Sequence, residues 1–487
     1  MPRLVLLALC LYFATLRAGE GYYEFTPEAA AIYDDVMALR LDKAQRDINA
    51  YRALAPANLV THHLESYLDF FRLYLSGDER LDVPLESRFE RRITTLETGD
   101  PTSPWHNYAL AEARLHRSLI LIRFERQLVA FRELNKAHKL LRANAEDFPD
   151  FLLTYKDLGL LHAAVGSIPS QYKWGVELFS SLSGTVEEGR REMALARMAP
   201  DNPFALETEV LAAYLEMHLA GDPEQAWQRS AALPLSPRTN ALHCFVRANL
   251  AMRSGRNDLA LRLLEAQPRG GEIAEFPYLD FMLGLAKIRT LDAGARIYFA
   301  SFNLRYRGRH FREEAHQKIA WCALLDGDTD GYRRALQAVA GGSRAGGDES
   351  AVREATTGRL PHPGLLRARL LFDGNYCQRA RREMEDIDQG SLTEQEDLEY
   401  HYRTGRILEE LGDLEGALSF LLTTVEMGAD NPAYFACKAA LQAGLIEEKR
   451  GNPEAAARHF NRCLALSPSE YRTALHLLAK AGLNRMR

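Results

Sequence analysis

A repeat of fixed period constrains this chain more than any other feature. Near the C-terminus one stretch runs from Tyr402 through Gly405, Leu408, Leu411, Gly412, Asp413 and Ala417 to Leu421. A second runs from Ala440 through Gly444, Gly451, Asn452, Ala456 and Phe460 to Cys463, and closes at Pro468. The pairs Gly405/Gly444, Gly412/Gly451, Ala417/Ala456 and Leu421/Phe460 all stand 39 positions apart. Within each stretch apolar residues recur at spacings of three and four, the period of one helix face. The Gly followed by Asp or Asn between them marks a turn. Each stretch therefore reads as two antiparallel helices. A small residue in the first helix and an Ala in the second let the two axes approach closely. The turn Gly supplies the left-handed backbone that ends the first helix, and the Asp or Asn after it caps the second. A unit of this size cannot bury its apolar stripe alone, so it must stack on its neighbours.

The same grammar recurs upstream in weaker form. Ala212 to Leu219 leads to Gly221-Asp222-Pro223 and Ala226, and Phe245 to Arg253 leads to Gly255, Asn257 and Ala260. Met282 to Leu285 continues through Asp292 to Phe302, Ile319 to Trp321 leads to Gly327-Asp328 and Tyr332, and Leu366 to Phe372 leads to Gly374-Asn375 and Ala380. Trp105 to Ile122 and Leu128 to Leu141 form a longer pair closing at Pro149. This order of small residue, turn Gly, Ala, bulky apolar residue and terminal Pro resembles the tetratricopeptide repeat (TPR) superfamily. The resemblance implies an all-α, right-handed α-solenoid, a superhelix of about eleven antiparallel TPR-like helix pairs, with a terminal helix from Tyr471.

Four regions follow along the chain. Residues 1–18 read as a signal peptide, and 19–340 as an N-terminal helical array with an expanded turn at 165–185. Residues 341–364, rich in Gly and Pro, read as a loop or joint, and 365–487 as C-terminal repeats with the terminal helix. The leader, MPRLVLLALCLYFATLRA, has one cation at Arg3, an apolar run from Leu4 to Leu16 and Ala18 before the expected cut, the layout of a secretory signal. Thirteen helical residues reach about 20 Å, short of the ~30 Å hydrocarbon core, so no transmembrane span is expected after cleavage. Cys10 follows Leu9 and sits mid-run, which argues against a lipidation site. The other five cysteines, Cys244, Cys322, Cys377, Cys437 and Cys463, are never closer than 26 residues. That spacing matches neither a disulfide framework nor a zinc motif, and each fits a helix interior as a small apolar filler. The chain has no N-x-[ST] sequon, so export to a bacterial periplasm or cell envelope is the expected address. Net charge is −6, with 60 basic and 66 acidic residues, and removing Arg3 and Arg17 would take it to −8. A chain of this sign lacks the positive field that drives nucleic-acid binding.

No catalytic signature is present: G-x-S-x-G, G-x-x-x-x-G-K-[ST] and H-E-x-x-H are all absent. No catalytic residue, metal ligand or cofactor is expected. His310 and His316, six apart, fall about 120° from one helical face, poor geometry for sharing an ion. His62-His63 point to different sides of a helix. The carboxylate pairs Asp34-Asp35 and Glu409-Glu410 read as solvating charge. Two patches are candidates for binding. Arg305, Arg307 and Arg309 interleave with aromatic residues in a turn, where guanidinium groups can grip an anion or cap the preceding helix. Tyr172, Lys173, Trp174 and Phe179 lie in the expanded turn, with positions 174, 178, 179 and 182 on one helical stripe. The leading expectation is a non-enzymatic, exported scaffold that binds a protein or peptide partner, because a repeat array leaves one long face free of folding duty. A carbohydrate-binding envelope module on the same scaffold is the second reading, and an enzyme with an unrecognised site the third.

Overall fold

The structure is a computed structural model, and it describes residues 21–168, 182–339 and 347–486. Among the described residues all regular structure is helical. Eleven successive helix pairs account for most of it. They are α1 (Pro27–Met37) with α2 (Leu41–Leu54), α3 (Val60–Ser76) with α4 (Asp82–Leu96), α5 (Pro104–Arg123) with α6 (Gln127–Asp147), and α7 (Thr154–Ser167) with α8 (Val186–Arg197). Next come α9 (Ala205–Leu215) with α10 (Pro223–Ala232), α11 (Ala241–Arg253) with α12 (Asn257–Glu265), α13 (Tyr278–Ile288) with α14 (Arg296–Arg305), and α15 (Arg312–Leu325) with α16 (Thr329–Gln337). After a single helix α17 (Gly347–Thr357) follow α18 (Pro363–Asp373) with α19 (Cys377–Glu385), α20 (Glu394–Glu410) with α21 (Leu414–Met427), and α22 (Phe435–Lys449) with α23 (Pro453–Ala465). Helix α24 (Arg472–Arg485) ends the array. No helix among the described residues is long and apolar enough to cross a membrane.

The chain divides into two compact units. The first holds residues up to Ser254 together with Asp258–Leu283 and Ser301–His310. The second holds Gly255–Asn257, Gly284–Ala300 and everything from Phe311 onward.

In the first unit an extended segment at Gly21–Tyr22 precedes the helices. Its backbone pairs with two inter-helix turns, through Tyr22 N donating to Ala57 O (2.9 Å), Leu59 N to Tyr22 O (2.8 Å) and Asp100 N to Gly21 O (2.8 Å). The fully buried Asn58 locks this arrangement, its amide nitrogen donating to Glu24 O at 2.9 Å and its oxygen accepting from Glu24 N at 3.1 Å. Helix α1 starts at Thr26-Pro27, with Thr26 Oγ1 accepting from Ala29 N and Pro27 in the first turn, where its missing N–H costs nothing. Helices α7 and α8 approach until backbone meets backbone. A Cβ placed on Gly159 would lie 2.8 Å from the Gly189 carbonyl oxygen, and one on Gly189 would lie 2.3 Å from that of Gly159.

The second unit shows why the 39-residue spacing exists. A Cβ on Gly405 would sit 2.8 Å from the Leu421 side chain, and one on Gly444 2.6 Å from the Phe460 ring. Position for position, the small residue of the first helix is the slot for the bulky residue of the second. Phe460 is also met from α24, where a Cβ on Gly482 would fall 2.5 Å from its ring. Ala417, Ala456, Leu421 and Phe460 are all fully buried in one core with Leu441, Cys437 and Cys463. The turn residues Gly412 and Gly451 have φ of 85° and 77°.

Some turns depart from the expected chemistry. Asp413 caps α21 by accepting from Gly416 N at 3.0 Å, whereas Asn452 makes no cap to α23 and donates instead to Glu447 Oε2 at 2.6 Å. In the Gly374-Asn375 turn the left-handed residue is Asn375 (φ 64°), while Gly374 stays at φ −91°. Asn tolerates this region better than other side-chain-bearing residues. Of the segment read as a loop or joint, residues 347–357 form α17, which is docked by polar contacts. Asp348, fully buried, accepts from Phe311 N (2.7 Å) and Glu314 N (2.8 Å) and so caps α15 from another helix. Glu354 accepts from Gln317 Nε2 (2.6 Å), Trp321 Nε1 (2.8 Å) and the Tyr332 hydroxyl (2.8 Å). The five described cysteines are buried and unbridged, and burial pushes the Cys244 and Cys322 thiols up to about 11 and about 12.

The Gly444 slot gives a direct stability test. Gly444→Val puts branched carbon into the Phe460 ring, and overpacking of this kind costs about 1–3 kcal/mol. The variant is expected to melt several degrees below the parent by circular dichroism. An unchanged midpoint would mean that the slot is not tightly filled.

Candidate functional site

A polar groove in the first unit lies among α8, α9 and α10. Its volume is about 430 Å³. Arg190 and Arg197, seven apart on α8, share one helical face, and Arg229 enters from α10. Met193, Ala212 and Leu215 form the apolar floor. The end of α9 widens into a π-turn over Glu216–Ala220, and this turn carries Glu216 into the groove. Arg190 holds the Glu216 carboxylate through Nη2 (2.6 Å) and Nε (3.1 Å), Arg229 approaches it at 3.9 Å, and Arg197 pairs with Glu209 at 2.6 Å. Three guanidinium groups stand against Glu216 and Asp222 in the lining, and Glu187 and Glu209 pair with Arg190 and Arg197 from beside it. All three are about one-third exposed, with side-chain exposures of 32%, 35% and 28% for Arg190, Arg197 and Arg229. Arg190 spends Nε and Nη2 on Glu216 and Nη1 on Glu187, whereas Arg197 is tied among the described residues through Nε to Glu209, and its planar fork suits a carboxylate. The seven-residue spacing of Arg190 and Arg197 was visible in the sequence. Their convergence with Arg229 was not, because it depends on how α10 folds back.

The arginines nominated from the sequence have separate fates. Arg305 ends α14 and is tied to Asp280 at 3.0 Å and to Glu275 at 3.7 Å. Asp280 is buried and also paired to Arg269 at 2.5 Å, so Arg305 neutralises an internal charge. Arg307 is exposed, and Arg309, also exposed, reaches Glu79 at 2.7 Å. Between Arg305 and Arg307, Tyr306 is buried, its hydroxyl accepting from Arg123 Nη2 at 2.5 Å. The turn brings no two of these arginines onto one shared acceptor among the described residues. Tyr172, Lys173, Trp174 and Phe179 lie outside the described residues. His310 sits in the turn before α15 with Nε2 2.6 Å from Arg123 O. Asp35, read as solvating, is in fact buried and paired with Arg40 and Lys43.

A cluster of ionisable groups that the sequence does not announce lies inside the first unit. Lys156 of α7 is fully buried, and its Nζ reaches Glu112 Oε1 of α5 at 2.5 Å and Glu207 Oε1 of α9 at 2.8 Å. Tyr67 of α3 donates to Glu112 Oε1 (2.9 Å), Tyr33 of α1 donates to Glu207 Oε2 (2.6 Å), and His63 is in hydrogen-bond contact with Glu112. Lys156 also lies 4.8 Å from the Phe204 ring centre. Burial works against the Lys156 charge, but Asp157, Glu112 and Glu207 outweigh it and hold the ammonium well above its ordinary value. Burial likewise opposes the Glu112 charge, and Lys156 and His63 pull that carboxyl well below the usual range. Asp157 goes the other way: burial, with Glu112 and Glu207 adding to it, raises its carboxyl well above the usual range despite Lys156. The cluster ties α1, α3, α5, α7 and α9 together. Beside it Arg92, Arg52 and Arg88 surround Glu65 at 3.5, 3.2 and 3.3 Å. Burial opposes the charge of Glu65, but these cations prevail and bring its carboxyl down to about 2.

One group of side chains has the composition of a metal site. His162 of α7 faces Glu188 and Glu192 of α8, with Nδ1 2.7 Å from Glu192 Oε2 and 3.8 Å from Glu188 Oε1.

Neither protein-family models nor curated proteins match the chain. Solved structures do. A tetratricopeptide repeat protein from Parabacteroides merdae is similar at 15% identity over 66% of this chain and 99% of that one, with a TM-score of 0.28. The Cut9–Hcn1 hetero-tetramer of the APC/C is similar at 10% identity over 93% of this chain and 95% of that one, also with a TM-score of 0.28. The fold is TPR-like, an all-α helical-repeat array, and its filled Gly405 and Gly444 slots are its own evidence for that.

Two measurements test the buried charges. Lys156→Met leaves Glu112 and Glu207 without their cation, and breaking a buried pair in this way costs about 3–5 kcal/mol. The expected result is a markedly lower urea midpoint at neutral pH. Glu65 has a folded value below its unfolded one, so its contribution is complete above about pH 4.5 and is lost as pH falls toward 2. That contribution is about 3 kcal/mol. The stability gap between the parent and Glu65→Gln should therefore close across this window, and a gap independent of pH would contradict the assignment.

Proposed function

We propose that this chain is an exported, non-enzymatic helical-repeat scaffold that binds an extended segment of a protein partner. In this reading the groove of Arg190, Arg197 and Arg229 receives an acidic side chain or a chain-terminal carboxylate of that partner. The observation that carries it is the groove itself, with three partly exposed guanidinium groups above an apolar floor of Met193, Ala212 and Leu215. An anion gains two-pronged hydrogen bonds there, and a flanking apolar residue gains a dry contact. The repeat architecture supplies such a surface without sacrificing core residues. The turn bearing Arg307 and Arg309 is a second contact candidate, and the leader pattern of residues 1–18 supports the bacterial periplasm or envelope as the address.

Affinity capture by the mature chain from a bacterial envelope fraction, followed by mass spectrometry, supplies the partner. Titration then tests the groove. Arg197→Glu is expected to weaken binding at least about tenfold, a loss of about 1.4 kcal/mol, and added salt should weaken the parent complex as it screens the exposed charges. A partner whose affinity is unchanged by Arg197→Glu and by salt would overturn the assignment.

A further inference from the structure

We propose that His162, Glu188 and Glu192 form a binding site for one divalent first-row transition-metal ion of the zinc class. The site is independent of the arginine groove and goes beyond the scaffold reading.

The backbone builds it. Gly159 and Gly189 bring α7 and α8 into main-chain contact, and His162 lies one turn beyond Gly159 while Glu188 and Glu192 flank Gly189. Gly184, left-handed at φ 154°, packs on His162 itself, where an added Cβ would come within 2.6 Å of the histidine Cβ. The ring is thus held from behind and presents Nδ1 to the two carboxylates. One nitrogen and two oxygen donors lie within 4.8 Å of one another. For a tetrahedral ion with bonds near 2.0–2.1 Å, donor atoms stand about 3.3 Å apart. The observed 2.7 and 3.8 Å bracket that value, so small side-chain rotations close the site.

Two further observations point to an ion. The other ring nitrogen of His162 is occupied, with Nε2 3.2 Å from His138 Nε2. When His162 donates that proton, Nδ1 is left as a bare lone pair facing Glu192, and a metal ion between them, or a second proton, removes the repulsion. A ligating histidine whose second nitrogen is fixed by a neighbour is the usual arrangement of a metal centre. The second observation is the charge balance. Glu188 and Glu192 are like charges one helical turn apart, a repulsive arrangement, and His162 is the only ion-pair partner either has among the described residues. An imidazole with two carboxylates and no thiolate suits zinc, manganese or iron better than calcium or magnesium. Three protein donors leave one position open, and Glu188, about two-fifths exposed, gives the ion a path in.

The test uses the full chain, stripped with a chelator and dialysed. Zn²⁺ is titrated by calorimetry, and Co²⁺ is followed by its visible absorption. The expected result is one ion per chain with micromolar or tighter affinity, visible Co²⁺ bands and a raised melting temperature with Zn²⁺. Glu188→Gln and Glu192→Gln should each weaken binding at least about tenfold and erase the bands. His138→Asn should weaken it about tenfold to a hundredfold as a positioning residue. His162→Asn should abolish it, and if that variant fails to fold the two glutamine variants decide alone, since they remove charge without changing shape. Absence of binding in the parent at micromolar metal, or binding indifferent to both glutamine variants, overturns the proposal. A proton shared between His162 and Glu192 would then fill the place assigned to the ion.

Discussion

The fold rests on one steric exchange: a bulky side chain from the second helix of a pair fills the space left where the first helix has no Cβ. Phe460 is the clearest case, lodged against Gly444 from its own pair and Gly482 from the terminal helix. Glycine inside a helix costs roughly 1 kcal/mol relative to alanine, and here that cost is offset by a ring that can be buried completely. The exchange sets the distance between axes, and that distance decides which neighbours are small. Ala417 and Ala456 are fully buried for this reason, and the 39-residue spacing is the sequence trace of the same demand.

The first unit supplements this packing with charge. Its helices α1, α3, α5, α7 and α9 converge on Lys156, Glu112, Glu207, Tyr67 and Tyr33. A buried ion cluster gains little over well-packed apolar residues, but it is expensive to break. Its value is in geometry: a helix displaced by one turn would strand a carboxylate or an ammonium in the core. The N-terminal segment does similar work with its backbone, closing two turns through Gly21, Tyr22 and the buried Asn58.

Helix α8 carries two surfaces at once. Glu188 and Glu192 face His162 across the Gly159–Gly189 contact, while Arg190 and Arg197 line the groove. At 100° per residue, Arg190 lies roughly 160–200° from either glutamate, so one short helix presents carboxylates inward and guanidinium groups outward. The charged sequence from Glu187 to Arg197, which looks like an undifferentiated polar face, is sorted by that geometry into two sites of opposite sign.

The sequence by itself determined the helix pairs and their small-residue contacts, because a 39-residue spacing of Gly, Gly, Ala and a bulky apolar residue has few other physical uses. It also determined the role of the cysteines as buried filler. Tertiary structure decided what distant residues do together. Asn375 rather than Gly374 takes the left-handed turn, Asp348 caps a helix 36 positions away in sequence, and Arg305 is consumed by the buried Asp280. Arg229 joins Arg190 and Arg197, and His162 meets Glu188 and Glu192, only because backbones pack. Local periodicity reports which face of a helix is buried. Which charge stands opposite another is set by the angle and depth at which two helices meet, and no short window of sequence contains that.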